Sequence, residues 1–192
     1  MPDLSHVLAS LQSRFGDKIS EPILFREETT LLVSKAEIAV IAQFLKTDHA
    51  FDLLLDISSL DHFGEEPRFE VVYEFYHLVA KTHLRLRLKV SEDDLFVPTL
   101  SNVYATADWH EREIYDMMGI SFTGHPDLRR ILMWEGYPYY PLRKDFPLAG
   151  KFSDVPGEAF TKPAPLAGGP FVTAPSTDIA SEREPRAHPA EI

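Results

Sequence analysis

Residues 69–90, FEVVYEFYHLVAKTHLRLRLKV, hold two runs of alternating side chains joined by a short connection. In the first, Phe69, Val71, Tyr73 and Phe75 alternate with Glu70, Val72 and Glu74; in the second, Leu84, Leu86, Leu88 and Val90 alternate with His83, Arg85, Arg87 and Lys89. Period-two alternation marks a strand with one face in a core. Laid antiparallel with Glu74 opposite Arg85, the runs bring Glu70 opposite Lys89, Phe75 opposite Leu84, Tyr73 opposite Leu86 and Val71 opposite Leu88. One face is then apolar and the other pairs opposite charges, each pair contributing roughly 0.2–1 kcal/mol. A slip of one residue drives the arginines into the core, whereas a slip of two does not. The alternation therefore sets the parity and leaves the register open.

Working outward, Leu4, Val7, Leu8, Leu11 and Phe15 have helical spacing, with Asp3 placed to cap the first turn. Ile23–Phe25 and Leu31–Val33 flank the polar stretch Arg26–Thr30 and read as a hairpin. Ser34 and Glu37 have capping-box spacing and open a helix to about Lys46, with Val40, Ile41, Phe44 and Leu45 inward. Phe51–Leu60 reads as a strand. Together these predict an α+β fold: a single compact domain with a mixed or antiparallel sheet flanked by helices, plus an extended C-terminal tail. Residues 1–106 form the N-terminal α/β part, 107–149 a helix with a following extended segment, and 150–192 a proline-rich tail. In the tail Pro156, Pro163, Pro165, Pro170, Pro175, Pro185 and Pro189 break any helix or central strand, and no apolar periodicity returns. The tail is expected to order only on partner chains.

Composition narrows the chemistry. With 44% hydrophobic residues the chain can fill a core, and a net charge of -11 argues against a phosphate backbone as partner. There is no cysteine, which removes disulfides, thiolate-held zinc and Cys-ligated iron–sulfur clusters from these 192 residues. The start, MPDLSHVLASLQSRF, lacks the basic-then-apolar layout of a signal peptide, and no window has the roughly 20 apolar residues of a spanning helix. The chain is therefore expected to be cytosolic, or bound to a membrane only through other chains.

The densest stretch is residues 107–147, ADWHEREIYDMMGISFTGHPDLRRILMWEGYPYYPLRKDFP. Asp108 can cap a helix that Gly119 ends in a left-handed turn, with Ile120 folding back on Tyr115. Ala107, Ile114, Tyr115 and Met118 form its buried stripe. Glu111 lies on the same stripe, where an ionised carboxylate needs a cation. Arg129, Arg130, Arg143 and Lys144 are the candidates, with helix capping or an exposed position as the alternative. Arg112, four residues from both Asp108 and Asp116, reads as an exposed helical pairing. His125 before Pro126 makes a fixed corner or a partner contact. Trp134, Tyr137, Tyr139 and Tyr140, interleaved with Pro138 and Pro141, form an extended strip that lies along the domain or across a neighbour.

This stretch resembles the 30-kDa subunit family of proton-pumping NADH–quinone oxidoreductase (respiratory complex I). The resemblance rests on Glu111, Arg112, Glu113, Asp116, Gly119, Phe122, His125, Pro126, Asp127, Arg129 and Arg130, and continues through Arg143, Lys144 and Asp145. The resemblance implies a structural subunit of the hydrophilic arm, a hetero-oligomer on the cytoplasmic side of the cell inner membrane. It implies packing against the quinone-site subunit and the terminal-cluster subunit, with FMN and iron–sulfur clusters held by partners and no cofactor in this chain. An equivalent subunit of a membrane-bound hydrogenase or formate hydrogenlyase is the neighbouring reading. A stand-alone carboxylate- or metal-dependent hydrolase is the distant one. The helix carries His-Glu-Arg-Glu rather than HExxH, so His110, Glu111, Glu113 and His125 make a poor metal set. Glu111 and Glu113, two apart, point to different sides of a helix and make a poor acid–base pair. His6, His49, His62, His77, His83 and His188 read as scattered surface residues.

Overall fold

The computed structural model describes residues 4–147. They divide between two units, the first ending at Tyr140 and the second beginning at Pro141. Asp3 and the expected tail at 150–192 lie outside the described residues. In the first unit the helices are α1 (Leu4–Phe15), α2 (Ile38–His49) and α3 (Ala107–Met118). The strands are β1 (Ile23–Phe25), β2 (Glu28–Leu32), β3 (Leu53–Asp61), β4 (Phe69–His77), β5 (Thr82–Val90), β6 (Phe96–Pro98) and β7 (Ser121–Thr123). Five of the strands form a mixed sheet in the order β1-β2-β5-β4-β3, with β2 parallel to β5 and the other pairs antiparallel.

The hairpin of β4 and β5 has the expected pairing: Glu74 is opposite Arg85, Glu70 opposite Lys89 and Tyr73 opposite Leu86. Phe69, Val71, Tyr73, Phe75, Leu84, Leu86, Leu88 and Val90 are all buried, and they join Val7, Leu11, Ile41, Leu45, Ala107 and Ile114 of the helices in one cluster. Each large apolar side chain so buried contributes about 1.5–3 kcal/mol. On the opposite face the carboxylates lie beneath the cations. Glu70 is 0% exposed and takes hydrogen bonds from Arg87 (Nη2 at 2.7 Å) and faces His62 at 2.8 Å, with Lys89 at 3.6 Å. Arg85 bridges Glu74 at 2.5 Å and Glu28 at 2.9 Å.

Several local expectations need correction. The polar stretch after β1 is a two-residue turn, Arg26–Glu27, with both φ positive (50° and 68°), so β2 starts at Glu28 rather than Leu31. Ser34 makes no side-chain cap; Lys35–Glu37 is a 3-10 turn, and α2 follows it to His49 with Val40 exposed. His49 and His77 are buried rather than on the surface. Each is drawn inward by a specific partner: His49 faces Ser10 Oγ at 3.1 Å, and His77 Nδ1 accepts the Ala80 amide at 3.2 Å. Sequence reading also missed the parallel pair β6–β7 and a buried bidentate bridge from Arg68 to Asp61, both bonds 2.9 Å.

Tyr73 is fully buried and its hydroxyl has no hydrogen-bond partner among the described residues. Burial, with the nearby Glu111 carboxyl adding to it, pushes its pKa well above the usual value. An unpartnered buried hydroxyl forfeits its hydration without return. Tyr73→Phe is therefore expected to leave stability unchanged or raise it by about 1 kcal/mol. A denaturant midpoint lowered by an equivalent amount would show that the hydroxyl has a partner in solution.

Candidate functional site

Arg112, Asp116 and Arg130, with Glu111 and His125, gather on α3. Its C-terminal end is set by Gly119, whose φ of 76° lets its amide reach back to the Tyr115 carbonyl at 3.0 Å, as expected from the sequence. Its N-terminal end differs from expectation. Thr106 is the N-cap residue, and its hydroxyl bonds the Leu54 carbonyl at 3.2 Å, tying the helix to edge strand β3. Asp108 lies within the first turn instead of capping it.

Asp116 is the centre of one cluster. It is 0% exposed. Its Oδ2 accepts the backbone amides of Ile131, Leu132 and Met133 at 3.0, 2.7 and 2.9 Å, and Oδ1 takes Arg130 Nη1 at 2.5 Å. Burial pushes its carboxyl upward, but the Met133 amide, Arg130 and the Leu132 and Ile131 amides outweigh it and hold the pKa below the usual value. Arg130 also donates to the Asp116 and Tyr139 carbonyls at 2.9 and 3.2 Å, and its guanidinium faces the rings of Tyr137 and Tyr140. Residues 128–140 contain no helix or strand, so this carboxylate and this guanidinium supply bonds that a ladder would otherwise give.

Arg112 departs from the expected exposed pairing with Asp108 and Asp116. It is 8% exposed, donates to the Arg129 carbonyl at 3.2 Å and lies over the Trp109 ring at 5.0 Å. With Asp116 committed to the loop amides, the guanidinium finds its acceptor across the helix face. Glu113 is exposed. Arg129 pairs with Asp127 at 2.9 Å in an exposed contact.

Glu111 is the centre of the second cluster and is also 0% exposed. Of the cations expected to pair with it (Arg129, Arg130, Arg143 and Lys144), Arg129 binds Asp127 and Arg130 binds Asp116. The hydrogen bonds that hold Glu111 come from uncharged groups. Its Oε1 accepts the Leu100 amide at 2.6 Å and its Oε2 the Thr99 hydroxyl at 2.5 Å, while His125 Nε2 lies 3.9 Å away. Nor does it cap the helix or reach water. Burial pushes its pKa up to about 7; the Thr99 and Leu100 bonds lower it, and Asp108 adds to the rise. The turn after β6 supplies both donors, which no spacing within α3 signals.

His125 sits at the corner after β7, its side chain fully buried. Nε2 lies 3.1 Å from the Asp108 carbonyl and 3.4 Å from Asp108 Oδ1, and Nδ1 accepts the Asp127 amide at 3.0 Å. The corner leads through exposed Pro126 into the segment clamped by Asp116. In the second unit, which holds Arg143, Lys144 and Asp145, the Phe146 amide donates to the Arg143 carbonyl at 2.9 Å.

The two clusters bind elements together. A groove of about 300 Å³ lies elsewhere, lined by Arg14, Val40, Gln43, Phe44, Asp48 and Val103 among others. Along α3 and the segment beside it Trp109, Leu132 and Trp134 stand 64%, 59% and 39% exposed.

Residues 31–152 match the family described as the respiratory-chain NADH dehydrogenase, 30 Kd subunit. An NADH-quinone oxidoreductase subunit of Geotalea uraniireducens (strain Rf4) is 41% identical over 150 residues, 78% of this chain and 92% of that protein. Among solved structures, a trypsin-resistant fragment of Nqo5 superposes with a TM-score of 0.53 at 29% identity, over 65% of this chain and 98% of the fragment. A chain of a membrane-bound sulfane sulfur reductase, an archaeal respiratory membrane complex, reaches a TM-score of 0.64 at 23% identity, over 75% and 85%. That second likeness shows a shared fold.

Proposed function

This chain belongs to the family of the 30 Kd subunit of respiratory-chain NADH dehydrogenase, and from that premise we propose that it acts within NADH-quinone oxidoreductase as a non-catalytic scaffold. The matches favour this over the equivalent subunit of a hydrogenase. In this reading electrons pass from NADH through FMN and iron–sulfur clusters of other subunits to quinone, and this chain holds those subunits in place. Its partners are the quinone-site and terminal-cluster subunits. It reaches the cytoplasmic side of the inner membrane through them. No helix among the described residues is long and apolar enough to cross a membrane.

One observation carries the reading. The buried charged groups of α3 hold a segment without helix or strand against the helix, leaving Trp109, Leu132 and Trp134 outward. Large apolar side chains exposed beside a fixed backbone suit a protein partner. The absence of cysteine supports the location of Cys-ligated clusters in other chains.

The chain purified alone is expected to be colourless, to contain neither flavin nor iron, and to leave NADH unoxidised. Drawn by a tag from native membranes, it is expected to bring the other hydrophilic-arm subunits with it. Stoichiometric flavin or iron in the folded chain, or recovery from membranes as a lone polypeptide, would contradict the scaffold role.

A further inference from the structure

The contacts around Glu111 leave two alternative places for one imidazole proton. His125 Nδ1 accepts the Asp127 amide, so that nitrogen carries no proton and the ring hydrogen is on Nε2. Nε2 bonds the Asp108 carbonyl at 3.1 Å, with Asp108 Oδ1 at 3.4 Å and Glu111 Oε2 at 3.9 Å. The choice depends on the charge of the carboxyl. An ionised Glu111 offers a charge-assisted bond, roughly twice as strong as one to a neutral carbonyl. A protonated Glu111 offers little, and the ring stays on Asp108.

Thr99 lets the carboxyl hold either state. Its hydroxyl has a second partner in Ser101 Oγ at 2.8 Å. It can donate to an ionised Oε2, or turn to Ser101 and accept from a protonated one. The titratable groups facing Glu111 are His125 from the corner, Asp108 one turn earlier on α3 and Tyr73 from β4. Asp108 and Tyr73 contribute no positive charge, and an imidazolium at His125 would lose the Asp127 amide bond. A proton on Glu111 needs no rearrangement of the Thr99 and Ser101 pair beyond the turn of one hydroxyl.

We propose that Glu111 and His125 form a buried two-position switch, in which proton loss from Glu111 draws the His125 ring from the Asp108 carbonyl to the carboxylate. Moving Nε2 by about 1 Å to reach hydrogen-bond distance tilts Nδ1 away from the Asp127 amide. That amide lies just before the segment that Asp116 clamps, so the position of the proton is read at Asp127. The corner at His125 then has two settings governed by a group that no solvent touches.

The test is a nuclear magnetic resonance titration of the full chain from about pH 5 to about pH 9, across the range where histidine and a raised carboxyl both titrate. The Asp127 amide and the His125 Nε2 signals are expected to move in one common step. The step is expected to vanish in Glu111→Gln. No step at the Asp127 amide, a step that survives in Glu111→Gln, or an imidazolium signal accompanying it would each overturn the switch. If the variant does not fold, the carboxyl carbon of Glu111 labelled in the wild-type chain decides. A midpoint shared with Asp127 supports the proposal, and a separate midpoint refutes it.

Discussion

Asp116→Ala is expected to destabilise the first unit by about 3–5 kcal/mol, the range for breaking a buried charge pair from one side. The substitution leaves the Ile131, Leu132 and Met133 amides without their acceptor and Arg130, 13% exposed in its side chain, without its carboxylate. Each amide stranded from a partner costs about 1–3 kcal/mol unless water replaces it. Asp116→Asn keeps one oxygen acceptor and removes the charge, so its loss is expected to be smaller. Urea melts of the three proteins check the order. The amides of 131–133 should also lose hydrogen-exchange protection before the rest of the domain. A midpoint shift in Asp116→Ala equivalent to less than about 1 kcal/mol would mean that the segment is held by something else.

The second large effect is a dependence of stability on pH that runs opposite to ordinary acid denaturation. The Glu111 carboxyl has a pKa of about 7 in the fold against 4.5 in an open chain. The folded state thus binds more protons than the unfolded state between these values. Stability from this group is complete below about 4.5, falls as pH rises through about 7, and then levels off. The span is roughly 3 kcal/mol, of order 1.4 kcal/mol for each tenfold change in proton activity. Glu111→Gln has no such proton to lose. The difference between wild-type and variant unfolding free energies is expected to slope across that window and to be flat outside it. A constant difference across the window would show that Glu111 titrates normally. Asp116 acts in the opposite sense: its lowered pKa gives stability that is present above the usual carboxylate range and lost as pH falls through the folded value.

What the sequence made legible, and what it did not, follows from the range of the interactions. Glu74 opposite Arg85 could be read because the charge alternation and the apolar alternation agree on one pairing. Gly119 could be read because a helix needs a left-handed residue where it ends. The burial of Glu111 was visible in the stripe it shares with Ile114, but its partners were not. Thr99 and Leu100 lie twelve and eleven residues back, on a turn whose approach depends on the pairing of β6 with β7. Those strands are three residues each, too short for a period to show. Asp116 was misplaced because its spacing from Arg112 suggested an ordinary surface pair. The usable signal lay downstream: Arg130–Met133 has apolar residues but no strand partner, so its amides required an acceptor. The buried Arg68–Asp61 bridge spans a turn and follows no helical or strand period.

Asp116 grips the neighbouring segment by its amides and ignores the side chains those amides belong to. Every residue except proline presents the same N–H, so the clamp constrains the path of residues 131–133 without constraining their alphabet. Shape and identity are thereby uncoupled at a surface where Leu132 stands outward. Drift or deliberate redesign can rewrite what that surface offers while the chain beneath it keeps its course.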